Sequence, residues 1–117
     1  MKMYGIKSCA SVKKAKAFFD NNNISYEFID LSKTPVGKDK IEQWTSFVPA
    51  TSMLNPRSKP YKDLGLKDKK TTEKKALSLI EKDNGIIKRP VIEHGLNGEC
   101  KFTIGFNEEE YNSTFLS

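Results

Sequence analysis

Two residue types are scarce enough in this 117-residue sequence to suggest chemistry: cysteine, of which there are 2, and arginine. Cys9 follows a short alternating run, Met1 to Ile6, and stands just before apolar residues at helical spacing, Val12, Ala15, Phe18 and Phe19. A side chain at such a strand-to-helix junction meets unpaired backbone N–H groups and the positive end of the helix dipole. Both favour an anion, so the thiol is expected to ionise below its usual value of about 8.5 and to act as a nucleophile. The same amides could hold an oxyanion. Lys7 and Lys13 add positive charge nearby, and the polar neighbours Lys7, Ser8 and Ser11 weigh against a cysteine that is merely a small core hydrophobe. Three residues on stands Val12, not a second cysteine, so a C-x-x-C dithiol is absent and any chemistry is monothiol.

The other cysteine, Cys100, is expected at the start of a late strand, at the hairpin end away from Pro90. A strand of four or five residues spans about 13–17 Å, whereas a disulfide tolerates a Cα separation of under about 7 Å. Cys100 therefore reads as an ordinary strand residue, and a resolving thiol must come from outside the chain. Arginine is informative by contrast with lysine. Of 20 basic residues only Arg57 and Arg89 are arginines, which marks them as places where a planar fork of donors matters.

Composition excludes several classes. The net charge is +5, but the densest basic stretch, Lys67 to Lys75, is broken by Asp68 and Glu73 and contains no aromatic residue. It reads as a solvated face, and direct nucleic-acid binding is not expected. A single histidine, His94, and two distant cysteines argue against a metal site. No glycine-rich phosphate loop occurs. No apolar run approaches the roughly 20 residues of a membrane span, and Met1 to Ile6 is too short and mixed for a signal peptide. These features suit a cytoplasmic protein with reduced thiols.

The elements that must position Cys9 follow from periodicity. Met1 to Ile6 reads as a strand, Ser11 to Asn22 as a helix stopped by Asn21-Asn22-Asn23, and Ile24 to Leu31 as a second strand, together a right-handed βαβ unit. Thr34-Pro35-Val36-Gly37 breaks the chain. Asp39 to Phe47 reads as a helix closed by Pro49, Ala50 to Leu54 as a further turn, and Thr71 or Thr72 to Lys82 as a capped helix ended by Asp83-Asn84-Gly85. Val91 to Glu93 and Cys100 to Ile104 form a hairpin around a turn at His94 to Gly98. Asn107 with Glu110 makes a capping box for a last helix. The order is that of a single α/β domain over residues 1–117 with the thioredoxin-like fold: βαβ plus ββα around a mixed four-stranded sheet, with an all-helical insert over approximately 35–85. A split ferredoxin-like arrangement or an unrelated open α/β sandwich explains the thiol's position less well.

Three segments carry a more specific resemblance. Tyr4-Gly5-Ile6-Lys7-Ser8-Cys9-Ala10-Ser11-Val12-Lys13-Lys14-Ala15 resembles the active-site segment of the glutathione/glutaredoxin-coupled arsenate reductase family, closest to its short arsenate-reductase-like thiol reductase branch. Asn55-Pro56-Arg57-Ser58-Lys59-Pro60-Tyr61-Lys62-Asp63-Leu64-Gly65 is similar to the insert segment that carries an oxyanion-binding arginine. Ile86-Ile87-Lys88-Arg89-Pro90-Val91-Ile92 resembles the segment with a second arginine and a cis-proline. The closing Ile104 to Tyr111 also fits, and the Spx-type transcriptional regulators share these segments. The resemblance implies Cys9 as nucleophile, Arg57 and Arg89 as oxyanion-binding residues with Lys13 assisting, and a cis bond at Pro90. It implies no bound cofactor or metal, glutathione as co-substrate, and glutaredoxin as partner. Its regulatory branch implies instead the RNA polymerase α subunit, and a non-catalytic anion-binding module is the remaining alternative. The arsenate reductases proper carry a third arginine beyond the one matched by Arg89; this sequence has none.

Overall fold

A computed structural model describes residues 1–68, 70–94 and 101–116. Its centre is a four-stranded sheet in the spatial order β2-β1-β3-β4. Strands β1 (Lys2–Gly5) and β2 (Glu27–Asp30) are parallel and joined by α1 (Ala10–Asn21). Strand β3 (Val91–His94) is antiparallel to β1 and to β4 (Lys101–Ile104), after which α6 (Glu108–Phe115) closes the described chain. Between β2 and β3 lie α2 (Lys38–Thr45), α3 (Ala50–Met53), α4 (Lys59–Asp63) and α5 (Glu73–Lys82), with short 3-10 turns at Leu66–Asp68 and Asn84–Ile86. This is the expected thioredoxin-like α/β arrangement with helices inserted between its halves. The turn of the β3–β4 hairpin and Cys100 lie outside the described residues.

The strand alternation assigns the two faces. Met3 pairs with Ile92 and Tyr4 with Val91, so one member of each successive pair faces α1 and α6 and the other faces the insert. The first face buries Met3, Val12, Ala15, Phe19, Ile92 and Tyr111. The second buries Tyr4, Ile41, Trp44, Met53, Ile80 and Val91, among others. Each fully buried large apolar side chain contributes roughly 1.5–3 kcal/mol. Gly5 lets α1 come close to the sheet: a Cβ there would lie 2.6 Å from Val12 Cγ2. The helix start is therefore pressed against the end of β1, and Cys9 is fixed beside the sheet.

The insert is tied to the sheet by polar as well as apolar contacts. Trp44 Nε1 donates to Glu93 Oε1 at 2.9 Å, Lys40 Nζ lies 3.0 Å from the same oxygen, and the Trp44 ring meets Tyr4 edge-on at 5.0 Å between centroids. Within the insert, Glu73 accepts from the amides of Ala50 (2.6 Å) and Thr51 (3.1 Å), so the first turn of α5 caps the start of α3.

Two details depart from the sequence reading. Helix α2 ends at Thr45, short of Phe47. The hydroxyls of Thr45 and Ser46 bond back to the carbonyls of Ile41 (2.9 Å) and Gln43 (2.6 Å), and Pro49 disfavours further helix. Phe47, 58% exposed, then packs edge-on against Phe102. Helix α4 is the second departure. It has no apolar periodicity, and its signals are the Ser58 cap, which accepts from the Tyr61 amide, and a proline in its first turn.

Candidate active site around Cys9

Cys9 is the N-cap residue of α1, with extended backbone (φ −74°, ψ 127°). Its amide donates to the Ile6 carbonyl at 3.0 Å, and its carbonyl accepts from the Lys13 amide at 3.1 Å. The residue is half-buried against the α1/α6 core. Its thiol makes no capping hydrogen bond of strict geometry, although the Ser11 and Val12 amides lie near enough to act on it. Burial is the largest single influence on its acidity and pushes the thiol up. The Val12 amide, the Arg89 guanidinium and the Ser11 amide together outweigh that and hold the thiol below its ordinary value. The direction of that shift is the one expected of a thiol at a helix start, and helix-start amides and one arginine produce it.

Arg89 comes to Cys9 from a segment far along the chain. Backbone bonds from the Asn55 amide to the Ile86 carbonyl and from the Lys88 amide to the Met53 carbonyl, both 2.7 Å, pair the two segments on either side of a bridge between Leu54 and Ile87. The chain then passes through the Arg89–Pro90 bond, which is cis as expected. The guanidinium turns back so that Nη1 donates to the Gly85 carbonyl at 2.7 Å. Its Nε is buried and has no hydrogen-bond partner among the described residues. A buried donor of this kind costs stability until an acceptor meets it, and this one belongs to the guanidinium that acts on the thiol.

The other expected site residues are placed less directly. Arg57 is exposed, in a turn where its amide donates to Asn55 Oδ1 at 3.0 Å. That turn leads into α4, which packs on the Asn84–Ile86 turn carrying the Gly85 carbonyl, so both arginines belong to one junction. Arg57 is not among the leading influences on the Cys9 thiol; nor is the exposed ammonium of Lys13. The structure thus brings Arg89 to Cys9, places Pro90 next to Arg89 through a cis bond, and leaves Arg57 and Lys13 exposed. Sequence reasoning took Asp83-Asn84-Gly85 only as a helix stop. It missed that the carbonyl of this stop holds Arg89 and that Asn84 is buried, bonding Ile80 and Val36. An Asx residue immediately before a glycine-containing turn was the available signal.

The ArsC family profile matches residues 4–114. An uncharacterized protein of Haemophilus influenzae is 32% identical over 114 residues, 97% of this chain and 96% of that protein. The global transcriptional regulator Spx 1 of Oceanobacillus iheyensis is 26% identical over 110 residues, covering 92% of this chain and 81% of the regulator. Among solved structures, an arsenate reductase (ArsC) related protein from Brucella melitensis superposes with a TM-score of 0.73 at 27% identity, covering 97% of this chain and 92% of that one.

Proposed function

The chain belongs to the ArsC family, and from that premise we propose that it is a monothiol oxidoreductase of the arsenate-reductase-like kind, with Cys9 as nucleophile and glutathione as co-substrate. The observation that carries this reading is the half-buried Cys9 at the N-cap of α1, where helix-start amides and Arg89 favour the thiolate. At neutral pH such a thiol supplies more thiolate than a free cysteine does. The unpartnered Nε of Arg89 offers a charge-assisted hydrogen bond to an oxyanion held in line with the sulfur.

With arsenate, Cys9 Sγ displaces an oxygen as water and bonds to arsenic. A glutathione thiolate then attacks the Cys9 sulfur, forming a mixed disulfide and leaving two electrons on arsenic, which departs as arsenite. A second thiol, from glutaredoxin, takes up the glutathione and restores Cys9. Arg57, on its exposed turn, suits a guiding role for the anion before Arg89 holds it. The test is arsenite production with glutathione and glutaredoxin. Wild type turns over and Cys9→Ser does not; equal rates in both would remove Cys9 from the chemistry.

The likeness to Spx favours a second reading, in which the chain binds the RNA polymerase α subunit and Cys9 senses oxidants. Retention of the α subunit by immobilised protein, without glutathione-dependent turnover, would favour the regulator.

A further inference from the structure

We propose that Asp83 is a positioning residue for Arg89: its carboxylate holds the Asn84–Ile86 turn, whose Gly85 carbonyl takes an Arg89 Nη1 hydrogen and so aims the guanidinium at Cys9. The proposal rests on the reading of Cys9 and Arg89 given above and extends it to residues outside the motif segments.

The chain of contacts is continuous. Helix α5 ends with the Asp83 amide donating to the Leu79 carbonyl at 3.0 Å, and Asp83 itself is extended (φ −147°, ψ 103°). Its Oδ1 accepts from the Gly85 amide at 2.8 Å, and its carbonyl accepts from the Ile86 amide at 3.2 Å. The peptide units on both sides of Gly85 are therefore oriented from Asp83, and the Gly85 carbonyl points to Arg89 Nη1 at 2.7 Å. Buried Asn84 fixes the same turn from below: its Nδ2 donates to the Ile80 carbonyl at 2.9 Å and its Oδ1 accepts from the Val36 amide at 2.7 Å. Gly85 has little room for anything larger, because a Cβ would lie 2.9 Å from Asp83 Oδ1. With Nη1 engaged, the guanidinium loses its freedom to swing toward solvent, and less ordering remains to be done when an anion binds.

Two accounts of Asp83 predict opposite signs. If its charge merely opposed Arg89, removing the carboxylate would strengthen the positive field at Cys9 and lower the thiol's ionisation midpoint further. If Asp83 positions Arg89, removing it loosens the guanidinium and the midpoint rises. The measurement is the iodoacetamide alkylation rate of Cys9 against pH, in a Cys100→Ser background, with urea midpoints recorded to confirm folding. Expected are a rise for Arg89→Gln and a smaller rise for Asp83→Ala, equivalent to about a 3-fold loss of thiolate at neutral pH. Gly85→Ala should move the midpoint the same way. Asp83→Asn, which loses the charge but keeps the capping oxygen, should match wild type. An Asp83→Ala midpoint that is unchanged or lowered, or an Asp83→Asn rise equal to that of Asp83→Ala, overturns the positioning role while Arg89→Gln still reports on Cys9. An Arg89→Gln midpoint equal to wild type overturns the underlying reading of the site, and the proposal with it.

Discussion

Asn84→Ala tests how firmly the insert is fastened ahead of Arg89, and the molecule contains its own control. Asn84 and Asn22 each donate Nδ2 to a carbonyl four residues earlier, Asn84 to Ile80 at 2.9 Å and Asn22 to Phe18 at 2.8 Å. Asn84 is only 8% exposed and its Oδ1 also accepts from the Val36 amide; Asn22 faces water. Truncating Asn84 deletes both bonds and leaves a buried carbonyl and a partly buried amide unmatched; at about 1–3 kcal/mol for a fully buried group and less for the amide, the loss is about 2–4 kcal/mol. At Asn22 water replaces the lost donor, so the cost is about 0.5 kcal/mol. At this chain length about 4 °C accompanies each kcal/mol, giving a Tm fall of about 8–16 °C for Asn84→Ala and about 2 °C for Asn22→Ala. Urea unfolding with a shared m-value, checked by calorimetry, measures both. Equal losses at the two positions would refute the argument that burial decides the value of these bonds.

Other outcomes follow from the same contacts. Trp44→Phe keeps a ring against Tyr4 but deletes the donor to Glu93 Oε1; urea unfolding should show a loss of about 1.5–3 kcal/mol, as for a hydrogen bond to a charged group. For Glu93, burial pushes the carboxyl up, but Trp44 and Lys40 outweigh it and hold it below its ordinary 4.5. A depressed carboxyl stabilises the fold fully above its unfolded value and ceases to do so as pH falls through its folded value. The stability advantage of wild type over Glu93→Gln should therefore be constant near neutrality and shrink below about pH 4.5; a gap that widens on acidification would contradict the sign. Gly5→Ala places a Cβ 2.6 Å from Val12 Cγ2, which should cost about 1–3 kcal/mol by overpacking and slow Cys9 alkylation by shifting the start of α1.

Much of the scaffold was legible because it is written locally. Val12, Ala15 and Phe19 fall at helical spacing and are the buried face of α1. The asparagine tract ends that helix, with Asn23 taking the positive φ of 57°. Thr72 caps α5 and Asn107 caps α6 through the amides of Lys75 and Glu110. What escaped is short or long-range. Helix α4 has too few residues for a period, and the Trp44–Glu93 bond joins residues 49 apart with no local signature. At the candidate site, the strand-to-helix junction alone puts Cys9 at the start of α1, where the structure has it. The partnership with Arg89 depended on arginine scarcity and the family resemblance, because it joins residues far apart in the chain with no local signature. The Gly85 carbonyl that holds Arg89 was hidden for a simpler reason: backbone groups carry no side-chain identity to read.

The central claim is that Cys9 is an activated thiolate at the start of α1, and its ionisation midpoint tests this most directly. In the Cys100→Ser protein, the iodoacetamide alkylation rate across pH reports that midpoint for a single thiol. The account predicts a midpoint below the usual value of about 8.5, moving upward in Arg89→Gln. A midpoint at or above the usual value, indifferent to Arg89, would contradict it.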